Sequence, residues 1–324
     1  MKATLRALLG LLAAGAMLPA CGGSQNAATT MPPSVVAQSK AHTASGSSGD
    51  LIYALARGPR NLGSVYVLTY PDGNYVSKFY TPIKAGLPGI CSDAKGNVFI
   101  TQFVRFGELG YIYEYSHGAT TPSATLTLNQ SDIPVGCAVN SANGDLAVSF
   151  GSGRPGVAIF HNASGTPKYY TFKGFSGAGQ ATFDGNGNLF AIFATASAVK
   201  VFELPSGSKR LTPLEFDNYM NPYDLQWDGK YLVIAIFDQH AQWLIYRASV
   251  SNFQGYIVST INFDGLARNA GSFWIQGDSI IVPVSRRSKS GKMAIYAYPQ
   301  GGSPESTISG FKVSDLTVSV VPSR

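Results

Sequence analysis

A glycine standing before a short apolar run returns along this chain at positions 49, 96, 144, 187, 229 and 277, at spacings of 47, 48, 43, 42 and 48 residues. The copies read G-D-L-I-Y at 49, G-N-V-F-I at 96, G-D-L-A-V at 144 and G-N-L-F-A at 187, with looser versions at 229 and 277. Asp93, Asn140, Asp184 and Asp228 precede the interior copies, so each phrase reads as strand, tight turn, strand. A second phrase follows in most units: V-L-T-Y-P-D-G at 67–73, I-Y-E-Y-S-H-G at 112–118, V-F-E-L-P-S-G at 201–207 and I-Y-A-Y-P-Q-G at 295–301. A period of about 45 residues made of short strands and glycine turns marks a β-repeat architecture. Each unit supplies four antiparallel strands, called A to D here, and so small a sheet buries both faces only by stacking on copies of itself.

The chain ends say how the stack closes. The first unit starts at its strand B, Asp50–Ala56, with no strand A before it, and the last segment, Lys312–Val321, is a strand A with no strand B after it. Pairing the two completes the first unit and removes the open edges of a linear array. Six turn glycines and one borrowed strand predict an all-β, six-bladed β-propeller of four-stranded antiparallel blades over residues 50–324. Composition agrees: 36 Gly, 17 Tyr and 18 Phe suit short strands and turns, and only 13% of residues are charged.

Upstream, Lys2 and Arg6 precede an apolar stretch, Leu8 to Ala20, too short to span a bilayer. It ends Leu18-Pro19-Ala20-Cys21-Gly22-Gly23, which resembles the lipobox of bacterial lipoproteins. That resemblance implies a signal peptide over 1–20, lipidation of Cys21 and localisation at the cell envelope, in the outer membrane on its periplasmic side or at the cell surface. Residues 21–49 are rich in Ala, Ser and Thr and read as a flexible tether. Removing Lys2 and Arg6 leaves 22 basic against 18 acidic residues, a net charge near +4. With no Lys/Arg run or basic aromatic array, nucleic acid is not an expected partner.

The repeats also carry a family likeness. Pro88–Ile100, P-G-I-C-S-D-A-K-G-N-V-F-I, resembles the P-x-G-I-A-V-D-x-x-G-N-V-Y-V pattern of NHL repeats, and Ile133–Val148 and Gly179–Ile192 match it less fully. The chain thus resembles the NHL and SMP-30-like six-bladed β-propellers, with the exported bacterial type as the nearest kind. The resemblance implies fold more than activity, since such propellers host enzymes, binding modules and scaffolds alike.

Candidate chemistry is sparse. The A–B aspartates lie in separate units and read as caps for turn N–H groups. Cys91 and Cys137 occupy strands A of neighbouring units one step out of register, so they point to opposite faces; an inter-blade disulfide and a pair of buried thiols both fit. Asp238 and His240 flank one B–C loop, where a carboxylate could orient an imidazole as a base. A lactonase-type metal set would need a Glu opening a strand A, and none of Glu108, Glu114, Glu203, Glu215 and Glu305 does so. No metal or cofactor is expected.

Charge is distributed unevenly between the two rims. The B–C loops hold Arg57, Arg60, Arg105, Arg154, Arg286, Arg287, Lys289 and Lys292 against Glu108 and Asp238, whereas the A–B turns hold Asp50, Asp93, Asp145, Asp184, Asp228 and Asp278 against Lys95 and Lys230. Arginine-lined surfaces suit carboxylate or phosphate ligands. The residues therefore point to a monomeric binding or protein-interaction module. Arg57, Arg60, Arg105, Arg154, Arg286 and Arg287 would meet an anionic glycan or an envelope protein, and the membrane is reached through the lipid anchor. The alternative is a lactonase-like hydrolase or lyase at the channel mouth.

Overall fold

The computed structural model describes residues 49–322 apart from the segments 58–62, 83–88, 104–108, 131, 152–153, 196, 218–219, 239, 241, 267–269, 271 and 285–290. The chain divides into units 1–41 and 42–324, and the first lies outside the described residues, as does Cys21. Among the described residues the second unit holds six sheets, antiparallel but for one short parallel pairing, plus one three-residue helix, His161–Ala163. Among the described residues no helix is long and apolar enough to cross a membrane.

Each sheet is one blade. Blade 1 runs from the axis outwards as Val313–Ser319, Leu51–Arg57, Gly63–Thr69 and Tyr75–Tyr80, so the C-terminal strand does complete the N-terminal blade. Blade 2 is Ile90–Ser92, Val98–Phe103, Leu109–Tyr115 and Ala124–Gln130, and blade 3 is Ile133–Val139, Leu146–Gly151, Gly156–Phe160 and Lys168–Thr171. Blade 4 is Gly177–Phe183, Leu189–Ala194, Val199–Leu204 and a two-residue outer strand, Thr212–Pro213. Blade 5 is Pro222–Trp227, Leu232–Phe237, Trp243–Ser251 and Gln254–Ile261; blade 6 is Trp274–Gln276, Ser279–Val284, Lys292–Ala297 and Ser306–Ser309. The repeat predicts four strands throughout, but blade 5 has a fifth: Glu215–Phe216 leaves blade 4 and pairs in parallel with Gln254 and Gly255. Gly255 permits this, because any Cβ there would stand 2.0 Å from the Phe216 ring.

The blades hold together because their B strands are apolar on both faces. In blade 4, Leu189, Ala191 and Phe193 pack toward blade 3, while Phe190 and Ile192 pack toward blade 5. The same alternation yields six clusters, one at each blade interface, with no single central core. Each fully buried Phe, Leu or Ile contributes roughly 1.5–3 kcal/mol, and every blade depends on a neighbour at each face to realise it. Closure is fastened at its end: Val321 N–H donates to Asp50 Oδ1 at 2.9 Å, and His117 Nδ1 lies 2.8 Å from Ser319 Oγ.

Cys91 and Cys137 form a disulfide between blades 2 and 3, with Cα atoms 5.7 Å apart. Nearby, the A strands approach so closely that a Cβ on Gly89 would sit 2.1 Å from the Val135 carbonyl oxygen. Two outcomes follow. Gly89→Ala should destabilise the protein by about 1–3 kcal/mol or more through overpacking against backbone, whereas Gly185→Ala, with open space at its Cα, should shift stability by less than about 0.5 kcal/mol. Cys91→Ala with Cys137→Ala should cost about 2–4 kcal/mol; chemical denaturation of each variant, with and without reductant, checks both.

Candidate functional site

The six A strands converge on a central cavity of about 230 Å³. Four of them break register at this level: between Pro134 and Cys137, between Ala178 and Ala181, between Pro222 and Asp224, and opposite Leu55–Ala56 in the closing strand. Such bulges re-aim side chains. Here they present Gln180 of blade 4, Asp224 of blade 5 and Asp315 of blade 1 to the cavity.

Gln180 Nε2 donates to Asp315 Oδ2 at 2.9 Å, linking blades that stand opposite each other across the ring. Asp315 Oδ1 accepts from Leu316 N–H at 2.9 Å. Asp224 accepts from Leu225 N–H at 2.7 Å and from Phe273 N–H of the next blade at 2.8 Å. The two carboxyls are 3% and 7% exposed, and no Lys, Arg or His is among the described residues that line the cavity. Burial pushes both up from the carboxylate range, Asp315 to about 6; the Asp315 charge adds to the rise at Asp224. Two buried acids without a counter-cation are stable when a proton remains on the pair. Both carboxyls therefore hold a proton more readily than a solvated carboxylate does.

Polar contacts also join every blade to the next. Ser92 Oγ donates to Val318 O at 2.7 Å (blades 2 and 1), Thr101 Oγ1 to Val135 O at 3.2 Å (2 and 3) and Ser149 Oγ to Gly179 O (3 and 4). Trp227 N–H donates to Thr182 Oγ1 at 3.1 Å (5 and 4), Ile275 N–H to Gln226 Oε1 at 2.8 Å (6 and 5) and Ser272 Oγ to Ser314 O at 3.3 Å (6 and 1). On the A–B rim, Asp93 and Asp184 each accept from two turn N–H groups and an Asn side chain. Burial raises the Asp228 carboxyl, but donors from Tyr298, Tyr231 N–H, Lys230 N–H and Arg247 outweigh it and hold Asp228 below its usual range. Arg247 closes this contact at 2.8 Å while lying over the Tyr231 ring.

The residues singled out in the sequence do not all gather here. Asp238 Oδ1 accepts from the backbone N–H of His240 and Gln242, at 2.9 and 2.7 Å, so the carboxylate caps its loop. Arg154 is exposed; Arg57 ends a B strand with its side chain outside the described residues, and Arg60, Arg105, Arg286 and Arg287 lie outside them altogether. Asp264 accepts from Ser303 Oγ at 2.7 Å in a rim contact between blades 5 and 6. Among the described residues no three His, Cys, Asp or Glu side chains converge as metal ligands. Sequence reasoning passed over Asp315, although an Asp inside the apolar strand V-S-D-L-T-V-S was a signal.

A carboxyl whose pKa is higher folded than unfolded favours folding in its protonated form, so its contribution falls as pH rises through the raised value. Asp315→Asn keeps the size, and the Gln180 amide can turn its oxygen toward the new NH₂. The variant should therefore gain stability relative to wild type as pH rises from about 4 to above 6, the value reached by Asp315. Urea denaturation across that range tests this; a pH-independent difference would contradict the protonated pair.

No protein-family model matches the chain, and no curated protein does. Among solved structures, the chain is similar to one from a crystal structure of a nidogen/laminin complex, with a TM-score of 0.62, 12% sequence identity, and coverage of 85% of this chain and 100% of that one. At that identity the likeness concerns fold alone, and with the sheet order above it identifies the chain as a six-bladed β-propeller.

Proposed function

We propose that this chain is an exported propeller, anchored through Cys21 to a bacterial envelope, that works by binding an anionic ligand or partner on its B–C rim. The observation that carries the reading is the unequal use of charge on the two rims. On the A–B side, Asp93, Asp184 and Asp228 are engaged by their own turns and Asp145 by His161 and Asn162 N–H. On the B–C side the basic residues outnumber the acidic ones, and Arg154 is exposed with no ion pair among the described residues. An exposed arginine at one end of the ring, in loops whose sequence is rich in basic residues, suits a carboxylate, sulfate or phosphate on the partner.

Two further facts support export and interaction. The Cys91–Cys137 disulfide suits an oxidising compartment. The similar solved propeller comes from a nidogen/laminin complex, which makes protein interaction a natural use for this fold. Alanine at Arg57, Arg60, Arg105, Arg154, Arg286 and Arg287 together should weaken salt-sensitive binding to a sulfated polysaccharide at least tenfold, and Cys21→Ala should move the protein from the membrane to the soluble fraction. Unchanged polysaccharide binding in the six-fold variant would refute the basic-rim reading.

A further inference from the structure

A second surface lies on the outer flank of the ring, in a groove of about 480 Å³ between blades 3 and 4. Its origin is the short outer strand of blade 4. That blade pairs its third and fourth strands only at Phe202–Pro213 and Glu203–Thr212, because the chain then departs to blade 5. The flank that a longer strand would cover stays open.

The groove has an aromatic floor and basic walls. Tyr170, Phe172 and Phe175 are half-buried along it. Phe172 stacks on Phe202 at 4.7 Å and meets Phe193 edge-on, and Phe175 meets Phe202 at 90° and 5.0 Å. One face of Tyr170 is covered by the Lys168 ammonium, 5.1 Å from the ring centroid. Lys173, Lys209 and Arg210 are exposed at the walls and form no ion pair among the described residues, whereas Lys200 is neutralised by Glu215 at 3.1 Å. No Asp or Glu is among the described residues that line the groove.

We infer that this groove binds an acidic peptide segment of a partner protein, anchored by one large apolar side chain. Three uncompensated cations beside a carboxylate-free groove call for an acidic partner. The half-buried aromatic floor removes an apolar anchor from water, the arrangement that concentrates binding energy at interfaces. Its volume falls in the range of about 300–1,000 Å³ usual for ligand pockets. Phe172 and Phe202 stack on each other and Lys168 covers one face of Tyr170, so part of the aromatic surface is already used within the chain. Arg154, the rim arginine whose side chain is described, does not line this groove.

The test uses the mature protein and a labelled nine-residue peptide of alternating Asp and Glu with a central Phe, read by fluorescence anisotropy. A version with Ala in place of Phe and a sulfated polysaccharide competitor are run beside it. Saturable binding is expected, at least tenfold weaker for the Ala peptide, at least tenfold weaker for K173E/K209E/R210E, and unchanged for R154A. A photo-crosslinker at the anchor position should label the 170–175 segment. The three substitutions are at exposed positions, and an unaltered melting temperature verifies folding of the variant. Phe175→Ala, which removes part of the floor without touching charge, should weaken binding of the Phe peptide alone. Absence of saturable binding, equal binding of the Ala peptide, full displacement by the polysaccharide, or unchanged affinity in the triple variant would each overturn the inference. Polysaccharide binding lost only with the rim arginines bears on the rim alone.

Discussion

Pairing of Leu51–Ala56 with the strand Val313–Ser319 is the contact on which the rest depends. Every blade has two apolar faces, so a linear array would leave one interface open at each end. The pairing converts the two ends into a sixth interface, where Ile52, Ala54 and Leu316 pack against Ile281 and Ile295. It joins residues about 260 positions apart, and such contacts form only after loop-closure entropy has been met. Asp50 and His117 hold the last residues of the strand where fraying would begin.

Closure has a consequence at the axis. Six strands brought together this tightly leave room only for glycine at contacts such as Gly89 with Val135 and Gly136 with Gln180. Regular strands would aim apolar side chains between the blades and leave their polar neighbours crowded at the centre. Register breaks in four blades accompany the placement of Gln180, Asp224 and Asp315 at the cavity, where they are hydrogen-bonded. Hydrogen bonds from Gln180, Phe273, Leu225 and Leu316 offset part of the cost of burying the two acids, and burial raises both carboxyls toward the protonated form.

The outside follows a different logic. On the A–B rim, aspartates serve backbone amides and each turn is finished locally. On the flank between blades 3 and 4, a strand too short to cover its neighbour leaves aromatics half-exposed beside unpaired cations. A propeller with identical blades would have neither a fifth strand in blade 5 nor this groove.

Much of the architecture was legible in the residues themselves. Turn glycines spaced by about 45 residues reveal the blade number, and a missing first strand A with a spare last one reveals the closure, because both are local patterns of turn geometry and apolar alternation. The one-residue offset of Cys91 and Cys137 likewise shows that their side chains could meet, and the tertiary structure brings their Cα atoms to 5.7 Å. Asp224 and Asp315 are 91 residues apart and are united only when blades 5 and 1 reach the same cavity. The groove depends on where strand Glu215–Phe216 crosses to blade 5, a choice made by Phe216 lying over Gly255. Repetition writes the ring into the sequence; departures from repetition acquire meaning only when the ring brings distant blades together.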